Sequence, residues 1–129
     1  MERKLKVLIA DDNKLQLAMT SDALSQAGFD VLAVNQGKEV YRKVLEYNPD
    51  IILLDIMMPD IDGIEICRVL KTHPKTKHIL ILIYSAKRDL DLMDLAYEAG
   101  AEGFILKSDN FDEIINRIKE IYREKREQA

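Results

Sequence analysis

The chain alternates two kinds of segment. Short apolar runs recur at KVLIA (6–10), DVLAV (30–34), IILLD (51–55), ILILIYS (79–85) and GFILK (103–107). They lack the strict in–out alternation of a strand with one wet face. Continuous runs of this length predict strands covered on both faces, as in a parallel sheet. Between them, apolar positions recur at helical spacing. Val40, Tyr41, Val44 and Leu45 form one stripe; Ile64, Cys67 and Leu70 form another. Phe111, Ile114, Ile115, Ile118, Ile121 and Tyr122 form the clearest, with Ser108, Asp109 and Asn110 available to cap it. Gly28 and Gly100 stand where C-terminal glycines close the first and fourth helices. Short connections between alternating strands and helices predict five βα units, (βα)5, in one doubly wound parallel sheet with helices on both faces. Residues 1–125 read as one domain and 126–129 as a charged, frayed tail.

The fourth helical segment is too apolar for its place. A helix on one face of a sheet needs about three apolar positions in seven. RDLDLMDLAYEAG carries Leu90, Leu92, Met93, Leu95, Ala96 and Tyr97. Some of these side chains are therefore expected to lie exposed, as a face for a partner or for self-association.

Composition narrows the class. At 129 residues, 47% apolar and 33% charged, the chain can bury a real core and belongs with soluble globular domains. A formal charge of −4 argues against a direct nucleic-acid footprint. Cys67 is the single cysteine, so no internal disulfide and no cysteine-based metal site is expected; a small core residue is. The start, MERKLKVLIADD, is charged too early and its apolar run is too short for a signal peptide or a membrane span. The expected location is cytoplasmic.

In a doubly wound sheet, ligands bind at the carboxyl ends of the strands. Asp11 and Asp12 follow the first strand. Asp55 ends the third, Ser85 the fourth and Lys107 the fifth. Asn35, after the second, is an ordinary turn residue. His73 and His78 fall at the opposite end and read as surface loop residues, not as ligands or phosphoryl relays. Two adjacent acids behind an apolar strand repel each other, and burial adds to the cost of ionising both. Asp12 or Asn13 can cap the following helix. The remaining carboxylate calls for a cation, and hard oxygen ligands from two strands suit Mg²⁺, with Mn²⁺ as a second candidate. Asp55 precedes IMMPDIDG, where Pro59 and Gly63 build a rigid turn that leaves its carboxylate facing the rim. A carboxylate beside Mg²⁺ can attack phosphorus and form an aspartyl phosphate. Lys107 and the Ser85 hydroxyl can then hold phosphoryl oxygens.

With that set assembled, the chain resembles the response-regulator receiver domains of two-component signalling. The matching segments are LIADDN, IILLDIMMPDIDG, the serine of IYSAK, and AGAEGFILK, spread from about Lys4 to about Ile121. The resemblance implies a flavodoxin-like, CheY-like sheet of order 2-1-3-4-5. It implies Asp55 as phosphoacceptor, Asp12 as a direct Mg²⁺ ligand, Asp11 as one mostly through water, and Met57 as one through its backbone carbonyl. It implies Ser85 and Lys107 as phosphoryl-binding groups, Phe104 as the switch aromatic, and Met57 and Lys87 as residues that tune the lifetime of the phosphoryl group. The implied partners are a sensor histidine kinase or phosphotransfer protein and a downstream protein target or a second copy, with neither nucleic acid nor membrane. Most members of the family have proline after the lysine; here Ser108 takes its place, which leaves the shape of that loop open.

Three other readings compete. A flavodoxin-like cofactor carrier needs a Ser/Thr/Gly phosphate loop after the first strand, where this chain has acids. An aspartyl phosphatase places its nucleophile after the first strand with a second acid two residues on, whereas Asp11 and Asp12 are adjacent. A phosphorylation-independent receiver-like binding module is the closest rival. Its signature is loss of an acid, the lysine or the hydroxyl, and none is lost here. The expectation is a switch that assists its own phosphorylation without being an enzyme for an external substrate.

Overall fold

The computed structural model describes residues 3–107 and 110–128. Five strands, β1 (Lys6–Ala10), β2 (Asp30–Val34), β3 (Ile51–Leu54), β4 (Leu80–Ser85) and β5 (Gly103–Leu106), form one parallel sheet of order β2-β1-β3-β4-β5. Five helices intervene: α1 (Lys14–Gln26), α2 (Val40–Tyr47), α3 (Gly63–Thr72), α4 (Leu90–Glu98) and α5 (Phe111–Glu127). A single 3-10 turn, Gly37–Glu39, leads into α2. This is the expected flavodoxin-like topology. Helical geometry in α5 continues through residues 126 and 127, two positions into the expected tail. The expectations that fall on Ser108 and Asp109 lie outside the described residues.

The apolar runs end up where their continuity places them. β1, β3 and β4 occupy the middle of the sheet, and residues 7–10, 51–54 and 81–84 are buried on both faces. One layer joins Leu8, Ile52, Leu54, Ile81 and Ile83 to Val40, Val44, Ile66, Cys67, Leu70 and Ala96, from α2, α3 and α4. The other joins Val7, Ile9, Leu53, Leu82 and Tyr84 to Leu17, Leu24, Ile114, Ile118 and Ile121, from α1 and α5. Burying each such side chain stabilises the fold by roughly 1.5–3 kcal/mol against leaving it wet.

Two expectations from the pattern need correction. β2 and β5 are the edge strands, so DVLAV and GFILK are not covered throughout on both faces: Asp30 and Ala33 are exposed, and Val31, Leu32, Phe104 and Leu106 are half-buried. Leu45 leaves the α2 stripe and is 58% exposed. α2 has only eight residues, and Val40 and Val44 alone reach the sheet fully, so Leu45 borders a surface groove with Tyr41, Val69 and His73.

Helix ends follow the capping rules. Asn13, not Asp12, caps α1, its side chain accepting from the Gln16 N–H at 3.0 Å. Asp62, Asp89 and Asn110 cap α3, α4 and α5 in the same way. Gly28 and Gly100, with φ of +100° and +104°, provide the left-handed turns after α1 and α4.

The amino-terminal pole of the sheet carries ion pairs. Asp50 accepts two bonds from the Arg3 guanidinium, at 2.7 and 2.8 Å, and one from the Lys6 N–H at 2.8 Å. Lys71 pairs with Glu102, while Glu102 also accepts from the Ile81 N–H and Lys71 donates to the carbonyls of Lys77 and Ile79. His73 and His78 are exposed near this end, away from the acids, as expected.

Candidate functional site

The sheet ladder places the site. One residue past each strand, the backbone still pairs: Asp11 N–H with Val34 O at 3.0 Å, Asp55 N–H with Ala10 O at 2.9 Å, and Lys107 N–H with Ser85 O at 2.7 Å. Three side chains from different parts of the sequence are thus fixed at one rim by strand register. The Lys107 ammonium lies 2.9 Å from Asp55 Oδ2 and 3.0 Å from Asp11 Oδ2. Asp11 and Asp55 are buried, and Lys107 is nearly so.

Each carboxylate has one oxygen tied to the backbone. Asp11 Oδ1 accepts from the Asn13 N–H at 3.0 Å, and Asp55 Oδ1 from the Met57 N–H at 2.9 Å. The other oxygens face Lys107. Asp55 Oδ2 accepts a bond from the ammonium, but Asp11 Oδ2 is only close to it, out of line, and completes no hydrogen bond among the described residues. Burial pushes the Asp11 carboxyl above its ordinary range, and the bond from the Asn13 N–H and the nearby Lys107 ammonium offset only part of that. Burial pulls the Lys107 ammonium down, yet the bonds and charges of Asp55 and Asp11 together outweigh it and raise the group above its usual value.

Asp12 is exposed beside this pair. One oxygen each from Asp11, Asp12 and Asp55 lie within 4.8 Å of one another, a set able to hold a metal ion. Three carboxylates therefore cluster where, among the described residues, one ammonium pairs with two of them. Such a site favours a hard divalent cation, which typically takes one or two carboxylates and keeps several waters.

The loop after Asp55 is held rigidly. Ile56 and Met58 are buried, and a Cβ at Gly63 would come within 2.5 Å of the Ile56 Cα, so only glycine allows the loop to fold back on α3. Asp60 accepts from the N–H groups of Gly37 at 3.1 Å and Lys38 at 3.0 Å, which ties the loop to the start of the 3-10 turn. Met57 projects outward, 62% exposed. Pro59 is exposed on the same loop.

Ser85 is buried at the end of β4, but its hydroxyl bonds the backbone of Lys87 at 3.2 Å and not the carboxylates. Lys87 is exposed. Phe104, half-buried on β5, packs against the layer under α4. The structure thus gathers Asp11, Asp12, Asp55 and Lys107 tightly, and leaves Ser85, Lys87 and Phe104 beside them.

Sequence reasoning passed over three residues. Gln16, Thr20 and Tyr84 form a polar network beneath Lys107. The signal was present: Thr20 interrupts the stripe Leu17, Thr20, Leu24, and Tyr84 is the one aromatic residue in an aliphatic strand.

Comparison with known proteins places the chain in a family. Residues 7–119 match the model of the response regulator receiver domain. The DNA-binding response regulator MtrA of Mycolicibacterium paratuberculosis is 32% identical over 114 residues, which are 88% of this chain and 49% of that protein. The alkaline phosphatase synthesis transcriptional regulatory protein PhoP of Bacillus subtilis is 30% identical over 118 residues, 92% of this chain and 48% of that protein. This chain therefore spans about half the length of these relatives. Among solved structures, a CheY-like response regulator receiver domain protein from Methanospirillum hungatei superposes with a TM-score of 0.87 at 25% identity, covering 98% of this chain and 99% of that one. With the match running through the rim, from the acids after β1 to the lysine after β5 and on into α5, the chain belongs to the response regulator receiver domain family of two-component systems.

Proposed function

We propose that this receiver is a phosphorylation-activated switch in which Asp55 accepts a phosphoryl group from a phosphohistidine on a sensor kinase or phosphotransfer protein. The observation that carries this reading is the carboxylate of Asp55. It is 4% exposed, held on one oxygen by the Met57 N–H, and shares Lys107 with Asp11 at a rim where ligands of such sheets bind. An oxygen of Asp55 bonds to phosphorus as the phosphorus–nitrogen bond of the donor breaks, and the departing imidazole takes a proton from solvent. Lys107 then exchanges a carboxylate oxygen for a phosphoryl oxygen, and the Ser85 hydroxyl gives up Lys87 to donate to another. The chain is a substrate that assists its own modification, not an enzyme with an external product.

The residues present fit Mg²⁺, or Mn²⁺ in its place. Asp11, Asp12 and Asp55 supply oxygens, Asp11 Oδ2 is buried without a completed hydrogen bond, and the Met57 carbonyl adjoins them in sequence. Bound there, the ion neutralises the acids so that an anionic phosphoryl group can approach. Met57 offers no side-chain hydrogen bond to an attacking water, and Lys87 adds positive charge at the rim, so the phosphoryl group is long-lived; its decay after removal of the donor measures this.

The test is direct. With Mg²⁺ and acetyl phosphate, the protein gains one acid-stable, base-labile phosphoryl group. Asp55→Asn or a chelator abolishes the gain, and full labelling of the Asp55→Asn variant would sink the assignment.

Output runs through the face formed by α4, β5 and α5. There Leu90, Leu95 and Tyr97 are exposed, and Arg88, Met93, Phe104, Glu113 and Arg117 line a cleft of about 340 Å³. Once Ser85 moves, the β4–α4 loop follows and Phe104 turns inward, a two-state element biased by one charge change. The occupant is a downstream protein or a second copy. The charge of −4 disfavours direct contact with nucleic acid, and no described helix is long and apolar enough to cross a membrane. A phosphorylation-independent module is not favoured, since the acids, the hydroxyl and the lysine are all in place.

A further inference from the structure

Beneath the ammonium of Lys107 lies the ring of Tyr84, with the nitrogen 5.3 Å from the ring centroid. Tyr84 is the largest of the fully buried side chains and lies on β4, immediately before Ser85. Its hydroxyl is held from the other side of the layer. Thr20 Oγ1 lies 3.1 Å away and Gln16 Nε2 donates to it at 3.0 Å, while the same Gln16 nitrogen lies 3.1 Å from Thr20 Oγ1. Both residues belong to α1. Thr20 is fully buried, in a stripe where an aliphatic side chain would pack without needing a partner. The ring is therefore fixed at both ends, by β4 and by α1, with one face toward the cation.

We propose that Tyr84 is a positioning residue for Lys107, a fixed aromatic seat on which the ammonium turns from the carboxylates to the phosphoryl group. The inference rests on the phosphoacceptor reading above. Its physical basis is a contrast between partners. The bond from Lys107 to Asp55 and its ion-pair contact with Asp11 would change once Asp55 is esterified and a metal ion is held by the carboxylates. The attraction between a cation and a ring face does not change, because the ring takes part in neither the esterification nor the metal binding. A lysine has four rotatable bonds and loses position readily once its partner leaves. The seat keeps the ammonium within reach during that exchange, and α1 keeps the seat still.

Three variants of the full chain test this: Tyr84→Leu, which removes the ring; Tyr84→Phe, which keeps the ring and removes its tether; and Thr20→Val, which leaves the ring untouched. Each is made alone and with Lys107→Met. The rate of phosphoryl gain from acetyl phosphate with Mg²⁺ should fall about tenfold in Tyr84→Leu, matching a cation–ring contact shielded from water, and about threefold or less in Tyr84→Phe and Thr20→Val. In the Lys107→Met background these losses should disappear, because Tyr84 acts only through the lysine. Equal losses with and without Lys107 would overturn the proposal and leave Tyr84 as packing. A second readout needs no phosphorylation. The NMR resonance of the Lys107 ε-methylene group in the unmodified protein should shift in Tyr84→Leu and stay close to its wild-type position in Tyr84→Phe. An unmoved resonance in Tyr84→Leu would overturn the contact itself. If Tyr84→Leu does not fold, Thr20→Val and Tyr84→Phe carry the rate comparison. A wild-type protein that gains no phosphoryl group, yet keeps the ring-dependent resonance, would overturn the phosphoacceptor reading and with it the role given to Tyr84, while leaving the contact standing.

Discussion

At the scale of single residues, the rim is held by opposed charges whose removal should act in opposite directions. Among the described residues, Lys107 is the one ammonium between two buried carboxylates. Lys107→Met leaves both unpaired, and breaking a buried pair by deleting one partner costs about 3–5 kcal/mol. The lower end applies, because Lys107 is partly open to solvent. Asp12 is exposed, and the cap of α1 belongs to Asn13, so Asp12→Asn loses no structural bond and relieves repulsion, with a gain under about 1 kcal/mol. Thermal melts in a chelator should therefore place Lys107→Met below wild type and Asp12→Asn slightly above it. A second residue speaks through pH. Bonds from the Arg3 guanidinium, more than burial opposes them, and a bond from the Lys6 N–H hold the Asp50 carboxyl below the ordinary carboxylate range. A lowered folded-state value means that this contribution is fully present above the unfolded carboxylate range and is lost as pH falls through the folded value. The melting difference between wild type and Asp50→Asn should be constant near neutrality and vanish in acid; a difference that grew in acid would refute the sign.

At the scale of elements, α4 is the least anchored. Among its nine residues only Ala96 is fully buried, while Leu90 is 71% exposed, Leu95 45% and Tyr97 46%. The excess of apolar residues in its sequence was legible as exposure, and the structure agrees. Its start depends on Asp89, whose carboxylate accepts from the N–H groups of Asp91 at 2.9 Å and Leu92 at 3.2 Å. Asp89→Ala should cost about 1 kcal/mol, as the loss of an N-cap does, and the cost should stay local. Hydrogen exchange of the α4 amides should quicken about fivefold, with β1, β3 and β4 unchanged; uniform quickening would show that α4 opens only with the whole domain. The same scale shows what the sequence conceals. The strands were legible because continuous apolar runs admit few other solutions. That β2 lies at the edge was not legible in its own pattern, since a parallel run looks alike in the middle of a sheet and at its margin; only the order implied by the family resemblance placed it there, paired with β1 alone. Leu45 misled for a related reason: helical spacing gives a stripe but not how much of it a short helix can press onto the sheet.

At the scale of the whole molecule, the candidate site is a product of topology. Asp11, Asp55 and Lys107 were legible as strand-end residues, since the order of the sheet brings those ends together. Tyr84 was not, because the role proposed for it arises from a contact between the core layer of α1 and α5 and the rim, which no local pattern announces. The same topology sets the expected output. On the proposed reading, site and α4 face are joined through Ser85, the β4–α4 loop and Phe104, and coupling of this kind is usually about 1–3 kcal/mol. Association with a partner or a second copy should then change by roughly 5–150-fold on adding a phosphate mimic. Leu90→Lys and Leu95→Lys should remove that response while leaving the fold and the Asp55 labelling intact. Loss of the fold in both would show that these leucines are core after all.

The ion pairs at the far pole carry a consequence for how such a chain can vary over generations. Arg3–Asp50 and Lys71–Glu102 hold the starts of the strands, at the opposite end of the sheet from the rim. Substitutions there alter how much folded protein a cell keeps, while the chemistry at the rim runs unchanged in each molecule that folds. Substitutions at the rim change the chemistry, and at Lys107 they change stability as well. Drift at the far pole can therefore adjust the abundance of the protein without moving its set-point, whereas drift at the rim moves both, along the same five strands.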